Sequence, residues 1–165
     1  MGGKSSTPVP PDSKAKHRLA REKFMKAHSK TFGGATISME EAKELERKGQ
    51  RVVFVDIRTP AEQEVSRFPK SIDEEEFWKN KDSYKDSHVV SYCTIGFRSG
   101  VFAQKLKKLG YPHVYNGEGV VLWTYDEATQ LVHREKDGSE VPVKKVHVYG
   151  NEWDLAADSY ETVKF

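Results

Sequence analysis

Cys93 is the only cysteine in this chain of 165 residues. It stands in the run Tyr92-Cys93-Thr94-Ile95-Gly96-Phe97-Arg98-Ser99-Gly100. With no second thiol, it has no partner for a disulfide within the chain or for a cysteine-ligated metal, and no metal site is expected. What remains is the chemistry of a single reactive sulfur, or the inert packing that many lone cysteines provide. The surroundings favour reactivity. An apolar run at 89–92 reads as a buried strand ending at Cys93, and a helical pattern follows from Ser99. The thiol would therefore sit at the carboxyl edge of a sheet, where open α/β sheets place their ligands. Gly96 gives the tight turn its backbone freedom. Successive amides in such a turn can point inward as a nest for an anion, and the positive end of the following helix faces the same place. With Arg98 nearby, this environment favours thiolate over thiol without a histidine base.

The elements that must position this loop are legible in the patterning. Ser38 with Glu41 forms a capping box opening a helix that Gly49 ends. Residues 52–57 are apolar and β-branched, the composition of a strand buried on both faces. Thr59-Pro60-Ala61-Glu62 reads as another capping box that starts a second helix, with proline at its first position. A short acidic helix is expected at 73–79. The helix after the cysteine spans 99–109, with Phe102, Leu106 and Leu109 on one face. Residues 113–115 make a third strand before the turn Asn116-Gly117-Glu118-Gly119. Strands alternating with helices imply an α/β fold with a parallel sheet flanked by helices on both faces. Beyond Trp123, residues 131–136 and 140–149 read as a hairpin about the pair Asp137-Gly138. The expected division is a basic tail at 1–34, a domain at 35–130 and a C-terminal extension at 131–165 packed on it.

The tail is distinctive in charge. Residues 1–30 hold eight Lys or Arg against Asp12 and Glu22, although the whole chain is only +2. Its first residues are rich in Gly, Ser and Pro and read as disordered. Between Ser13 and Lys30 a helix with a thin apolar face at Ala20, Phe24 and Ala27 is expected, marginal by itself. Met1-Gly2-Gly3-Lys4-Ser5-Ser6 fits an N-myristoylation signal on Gly2. One acyl chain with a polybasic segment is the pairing that anchors a protein to an anionic leaflet. No run approaches the ~20 apolar residues of a membrane span, and no secretory leader is evident. A cytoplasmic, monomeric protein is expected, membrane-associated through the tail. Nucleic-acid binding is not expected, because the tail lacks interleaved aromatics and the rest of the chain is net acidic.

Several motifs together resemble the rhodanese family. Cys93 with Gly96 and Arg98-Ser99 resembles its active-site loop. The run from Val55 to Glu62 is similar to its early strand-and-turn signature, Phe68-Pro69-Lys70-Ser71-Ile72 to its central segment, and the run from Tyr115 to Trp123 to its closing motif. Two positions depart from the pattern: Ser66-Arg67 replaces a glycine-histidine pair, and Lys70 replaces a glycine. The resemblance implies a single-domain sulfurtransferase needing no cofactor. It implies that Cys93 carries sulfur as a persulfide between a small donor such as thiosulfate and a thiol or cyanide acceptor. Thr94, Ile95, Gly96, Phe97, Arg98 and Ser99 would form the substrate-binding loop. For Arg98, steering an anionic donor and bridging the fold's own carboxylates stand side by side; Arg58 and Glu62 are expected to pair with each other. Phosphatases and arsenate reductases of the same fold use Cys-x5-Arg, whereas Cys93 and Arg98 give the shorter Cys-x4-Arg. A binding or scaffolding module is the other alternative.

Overall fold

The computed structural model describes residues 12–165. The proposed myristoylation signal at Gly2 lies outside the described residues. Five parallel strands form the central sheet in the order β1-β5-β4-β2-β3. They are β1 (Ala35–Ile37), β2 (Val52–Asp56), β3 (Ile72–Asp73), β4 (His88–Tyr92) and β5 (Val114–Gly117). Both edge strands are short, and neither was expected from sequence: three and two residues carry too little pattern to separate from loop.

Alternation along the strands builds two cores. Phe54, Val90 and Tyr92 face one side, joined by α2 (Met39–Arg47), α6 (Val120–Trp123) and the C-terminal residues Leu131, Val146 and Leu155. Val53, Val55 and Val89 face the other, against Phe77 of α4 (Glu74–Lys79) and Phe102, Ala103 and Leu106 of α5 (Phe97–Lys108). The caps behave as their residue types dictate. Ser38 and Glu41 exchange both bonds of the capping box at α2, Thr59 caps α3 (Pro60–Val65) with proline at its start, and Asp73 caps α4.

The helix expected to be marginal, α1 (Ser13–Thr31), is capped by Asp12 and lies along α5. Ala20 and Phe24 are buried in the first core. Tertiary packing of a narrow apolar face outweighs weak intrinsic helicity. Part of the basic segment is therefore built into the domain. The expected hairpin is present only in its first half: β6 (Val132–Arg134) pairs antiparallel with β7 (Glu140–Pro142). The chain then breaks at Pro142, which ends the strand. β8 (Lys145–His147) pairs instead with β9 (Glu161–Val163), in parallel. Among the described residues no helix is long and apolar enough to cross a membrane.

Among the described residues, Lys70 is the one non-glycine residue with a positive φ, at 60°. Its amide donates to both oxygens of Glu140, at 2.9 and 3.2 Å. The family's glycine conformation is thus kept by a residue with a Cβ, at a cost of about 1–2 kcal/mol. Replacing Lys70 by glycine removes that cost, offset in part by the freedom glycine gains when unfolded. The variant is expected to be more stable by about 0.5–1 kcal/mol, read as a rise of roughly 1–3 °C in melting temperature; a fall would show that the lysine side chain contributes more than its backbone costs.

Candidate active site

β4 carries Cys93 to the carboxyl end of the sheet, between its neighbours β2 and β5. Gly96 follows at φ +105° and is the N-cap of α5. The helix thus begins at Phe97, two residues before the expected Ser99, so Phe97 and Arg98 belong to its first turn. The Cys93 side chain is buried beneath the loop, with the residue 2 % exposed. The Gly96 amide donates to Sγ at 3.1 Å, and the Ser99 hydroxyl lies 3.4 Å from it. Ser99 therefore does not cap the helix. It stands inside the loop and donates to Asn116 Oδ1 at 2.6 Å. Asn116 Nδ2 in turn donates to the Gly96 carbonyl at 3.0 Å and approaches His28 Nδ1 of α1 at 3.3 Å.

The loop is held open from the far side. The Val120 and Val121 amides at the start of α6 donate to the carbonyls of Cys93 and Thr94, at 3.0 and 3.3 Å. A Cβ on Gly119 would come within 2.6 Å of the Thr94 oxygen, so only glycine permits this approach. On the other side, Phe24 of α1 packs so closely on Gly96 that a Cβ there would meet its ring at 2.5 Å. Thr94 and Ile95 are buried, whereas Phe97 is 54 % exposed and forms part of the outer rim.

Arg98 forms a two-pronged ion pair with Glu62, both nitrogen–oxygen distances being 2.9 Å. Its Nη2 also donates to Thr94 Oγ1 at 3.1 Å. The expected Arg58–Glu62 pair is not formed. Arg58 binds the Asp56 carboxylate at 2.7 Å and the Ser66 carbonyl at 2.7 Å, fully buried. Asp56 is two residues from Arg58 at the strand end and reaches it first, while Glu62 on α3 faces α5. Burial alone would push the Glu62 carboxyl up. The hydrogen bonds and charge of Arg98, with Arg58 and His147 behind, outweigh it and hold the group below its ordinary range. Burial and then the charge of Asp56 push the Tyr92 hydroxyl, which donates to Asp56 at 2.6 Å, well above its usual range.

Two residues of the extension reach this centre, and sequence reasoning had assigned neither. Tyr149 lies over the Arg98 guanidinium at 5.2 Å from its ring centre. His147 Nδ1 stands 3.8 Å from Glu62 Oε2. Asn116 was also unassigned, although the asparagine inside a glycine-rich closing turn was the available signal. The arrangement can hold a negatively charged sulfur against the Gly96 amide, with the Ser99 hydroxyl beside it committed to Asn116, in a loop whose outer wall is an arginine clamped by a carboxylate.

A match to the rhodanese-like domain covers residues 38–124. The chain belongs to this family. It is also 35 % identical over 112 residues to a tRNA uridine(34) hydroxylase of Kocuria rhizophila, covering 61 % of this chain and 38 % of the relative. A protein of the same name from Corynebacterium urealyticum is 37 % identical over 101 residues, covering 54 % and 34 %. This chain thus spans little more than a third of the length of these relatives. The solved structure of a Pseudomonas aeruginosa thiosulfate sulfurtransferase superposes with a TM-score of 0.54 at 18 % identity, covering 78 % of this chain and 25 % of that one. A rhodanese-related protein of Thermoplasma volcanium gives 0.50 at 20 % identity, covering 61 % and 100 %. Both show the rhodanese fold.

The clamp makes a measurable demand on pH. Because the Glu62 carboxyl titrates lower when folded than when unfolded, its stabilisation is fully present above the unfolded value and is lost as pH falls through the folded one. Glu62→Gln is expected to cost about 2 kcal/mol near neutral pH, measured by urea unfolding. The gap to wild type should close on acidification; a gap independent of pH would mean the ion pair contributes little.

Proposed function

We propose that this chain is a sulfurtransferase that carries sulfane sulfur on Cys93. The observation that supports it most is the Gly96 amide at 3.1 Å from Sγ with the Ser99 hydroxyl at 3.4 Å, inside a Cys-x4-Arg loop at the start of a 12-residue helix. The Cys93 thiolate attacks the outer sulfur of a donor such as thiosulfate; a sulfur–sulfur bond forms, and sulfite leaves with the electron pair of the bond that breaks. The persulfide keeps a negative charge on its outer sulfur, and donors preorganised in the loop stabilise it as an oxyanion hole does. A thiophilic acceptor then takes that sulfur: cyanide gives thiocyanate, a thiolate gives a new persulfide, and Cys93 returns as thiolate. No second cysteine is present to receive the sulfur, so transfer is to another molecule. Mass spectrometry after thiosulfate treatment should find one added sulfur on Cys93, and none on Cys93→Ser, with thiocyanate formation lost in the variant. A folded, reduced wild-type protein that acquires no sulfur from thiosulfate or from a persulfide donor would sink the reading.

A second reading comes from the curated relatives, whose name specifies uridine 34 of a tRNA. It displaces the expectation that nucleic acid is no partner. α1 adds a physical reason: Lys14, Arg18, Arg21, Lys26 and Lys30 are all exposed on it, with Glu22 among them. Such a face suits a polyanion. An anionic leaflet is the other polyanion, reached through acylation of Gly2 in the earlier expectation. Binding of unacylated protein to tRNA is expected to weaken steeply with salt and with the double change Arg18→Glu, Lys26→Glu. Salt-insensitive or absent tRNA binding, with acylated protein from eukaryotic cells sedimenting on phosphatidylserine vesicles, would assign the face to the membrane instead.

A further inference from the structure

We propose that His147, from the extension outside the matched family region, is a positioning residue of the active-site loop: it sets, through Glu62, how tightly Arg98 is clamped and hence how much positive charge the loop offers an incoming anion. The geometry is specific. His147 is buried at 2 % exposure, and neither ring nitrogen has a hydrogen-bond partner among the described residues. Unpaired buried polar atoms are uncommon and call for an explanation. Two polar groups flank this ring: the Glu62 carboxylate, 3.8 Å from Nδ1, and the Phe165 backbone, which favours the charged ring less strongly than Glu62 does. The same oxygen, Oε2, accepts from Arg98 Nη2 at 2.9 Å. One carboxylate oxygen thus stands between two potential cations.

The groups facing the imidazole are few. On α3 there is Glu62; on the turn before it, Arg58, whose charge is matched by Asp56. On α5 there is Arg98. On β9 the register partner is Val163, which is apolar, and the Phe165 ring covers the imidazole at 4.2 Å between centroids. Lys145 and Glu161 lie on the same two strands but face each other at 3.9 Å. Neutral His147 leaves Glu62 wholly to Arg98. A proton on the ring places a cation beside Oε2, competes for that oxygen and repels the guanidinium. Nη2 already bonds Thr94 Oγ1 as well, so Arg98 has a second partner on the loop itself. Loosening its grip on Glu62 turns it toward the mouth of the loop, under Tyr149.

This deepens the sulfur-transfer reading, in which Arg98 would meet an anionic donor, yet it can be tested without sulfur transfer. Because Cys93 is the sole thiol, alkylation reports on this loop alone. Iodoacetate is anionic and iodoacetamide neutral, and both react with the thiolate; their rate ratio cancels the ionisation of the thiol and reads the charge the loop presents. Burial holds the His147 ring below its ordinary range, so in wild type the ratio is expected to stay level down to about pH 6.5 and to rise by roughly three- to tenfold below it, followed to about pH 4.5, and to stay flat throughout in His147→Gln. A flat wild-type ratio, or a rise that persists in His147→Gln, overturns the proposal. If neither reagent reaches the buried sulfur, the Arg98 Nε resonance decides: it must move with the ionisation of His147 in wild type and stay still in the variant, and one that stays still in both overturns the proposal. Failure of Cys93 to take sulfur from donors would count against the function and leave this result standing.

Discussion

Two backbone hydrogen bonds set the character of the loop. By drawing the carbonyls of Cys93 and Thr94 toward its first amides, α6 turns their negative ends away from the sulfur. A loop with carbonyls facing the thiol would repel a thiolate or persulfide; this one meets it with the Gly96 amide. The rest follows from keeping that turn in place. Gly119 must lack a Cβ for α6 to come close, Gly96 must take a left-handed conformation for the chain to enter α5, and Asn116 ties the Gly96 carbonyl to Ser99.

Around this turn the charges fall into two separate layers. Asp56 and Arg58 form a fully buried pair at the end of β2, and their remaining hydrogen-bonding capacity is used by Tyr92 and by the Ser66 and Glu62 carbonyls. Such a pair stabilises little relative to an apolar core but is costly to break on one side only. It fixes where β2 ends and α3 begins, and so where Glu62 stands. Glu62 and Arg98 form the outer layer, partly open to solvent on the arginine side. The inner pair is architecture; the outer pair borders the reacting sulfur.

Sequence disclosed the parts of this arrangement that rest on local rules. The caps at Ser38 and Thr59, the buried strands at β2 and β4, and the strand-loop-helix around Cys93 depend on neighbours within a few positions, and all are present, the helix after the loop starting two residues earlier than expected. What it did not disclose depends on packing between distant segments. Nothing near Glu62 distinguishes a capping-box glutamate from one that reaches across to Arg98, 36 positions on. The thin apolar face of α1 becomes structural only because α5 supplies a surface, with Gly100 admitting Thr31. The parallel pairing of β8 with β9 joins strands of three residues across a long connection, and so leaves no turn signature. His147 looked like one residue of a hairpin arm.

The departures from the family's pattern now have a common cause. Where the family pattern has a glycine-histidine pair, Ser66 gives its carbonyl to Arg58 and Arg67 exchanges both backbone hydrogen bonds with Val132, each at 2.9 Å. Where a glycine is usual, Lys70 gives its amide to Glu140 of β7, which Arg134 of β6 also binds at 2.8 Å. Arg134 reaches the Ser71 carbonyl as well. Every one of these positions lies in the segment that the extension covers. This turn is a docking edge for the extension. At residue 70 the contact is made by the backbone amide, so the lysine holds this edge despite the cost of its positive φ. The same docking carries the chain on through Val143 to β8, which brings His147 to Glu62. The altered turn and the histidine beside the clamp are thus two ends of one addition to the domain.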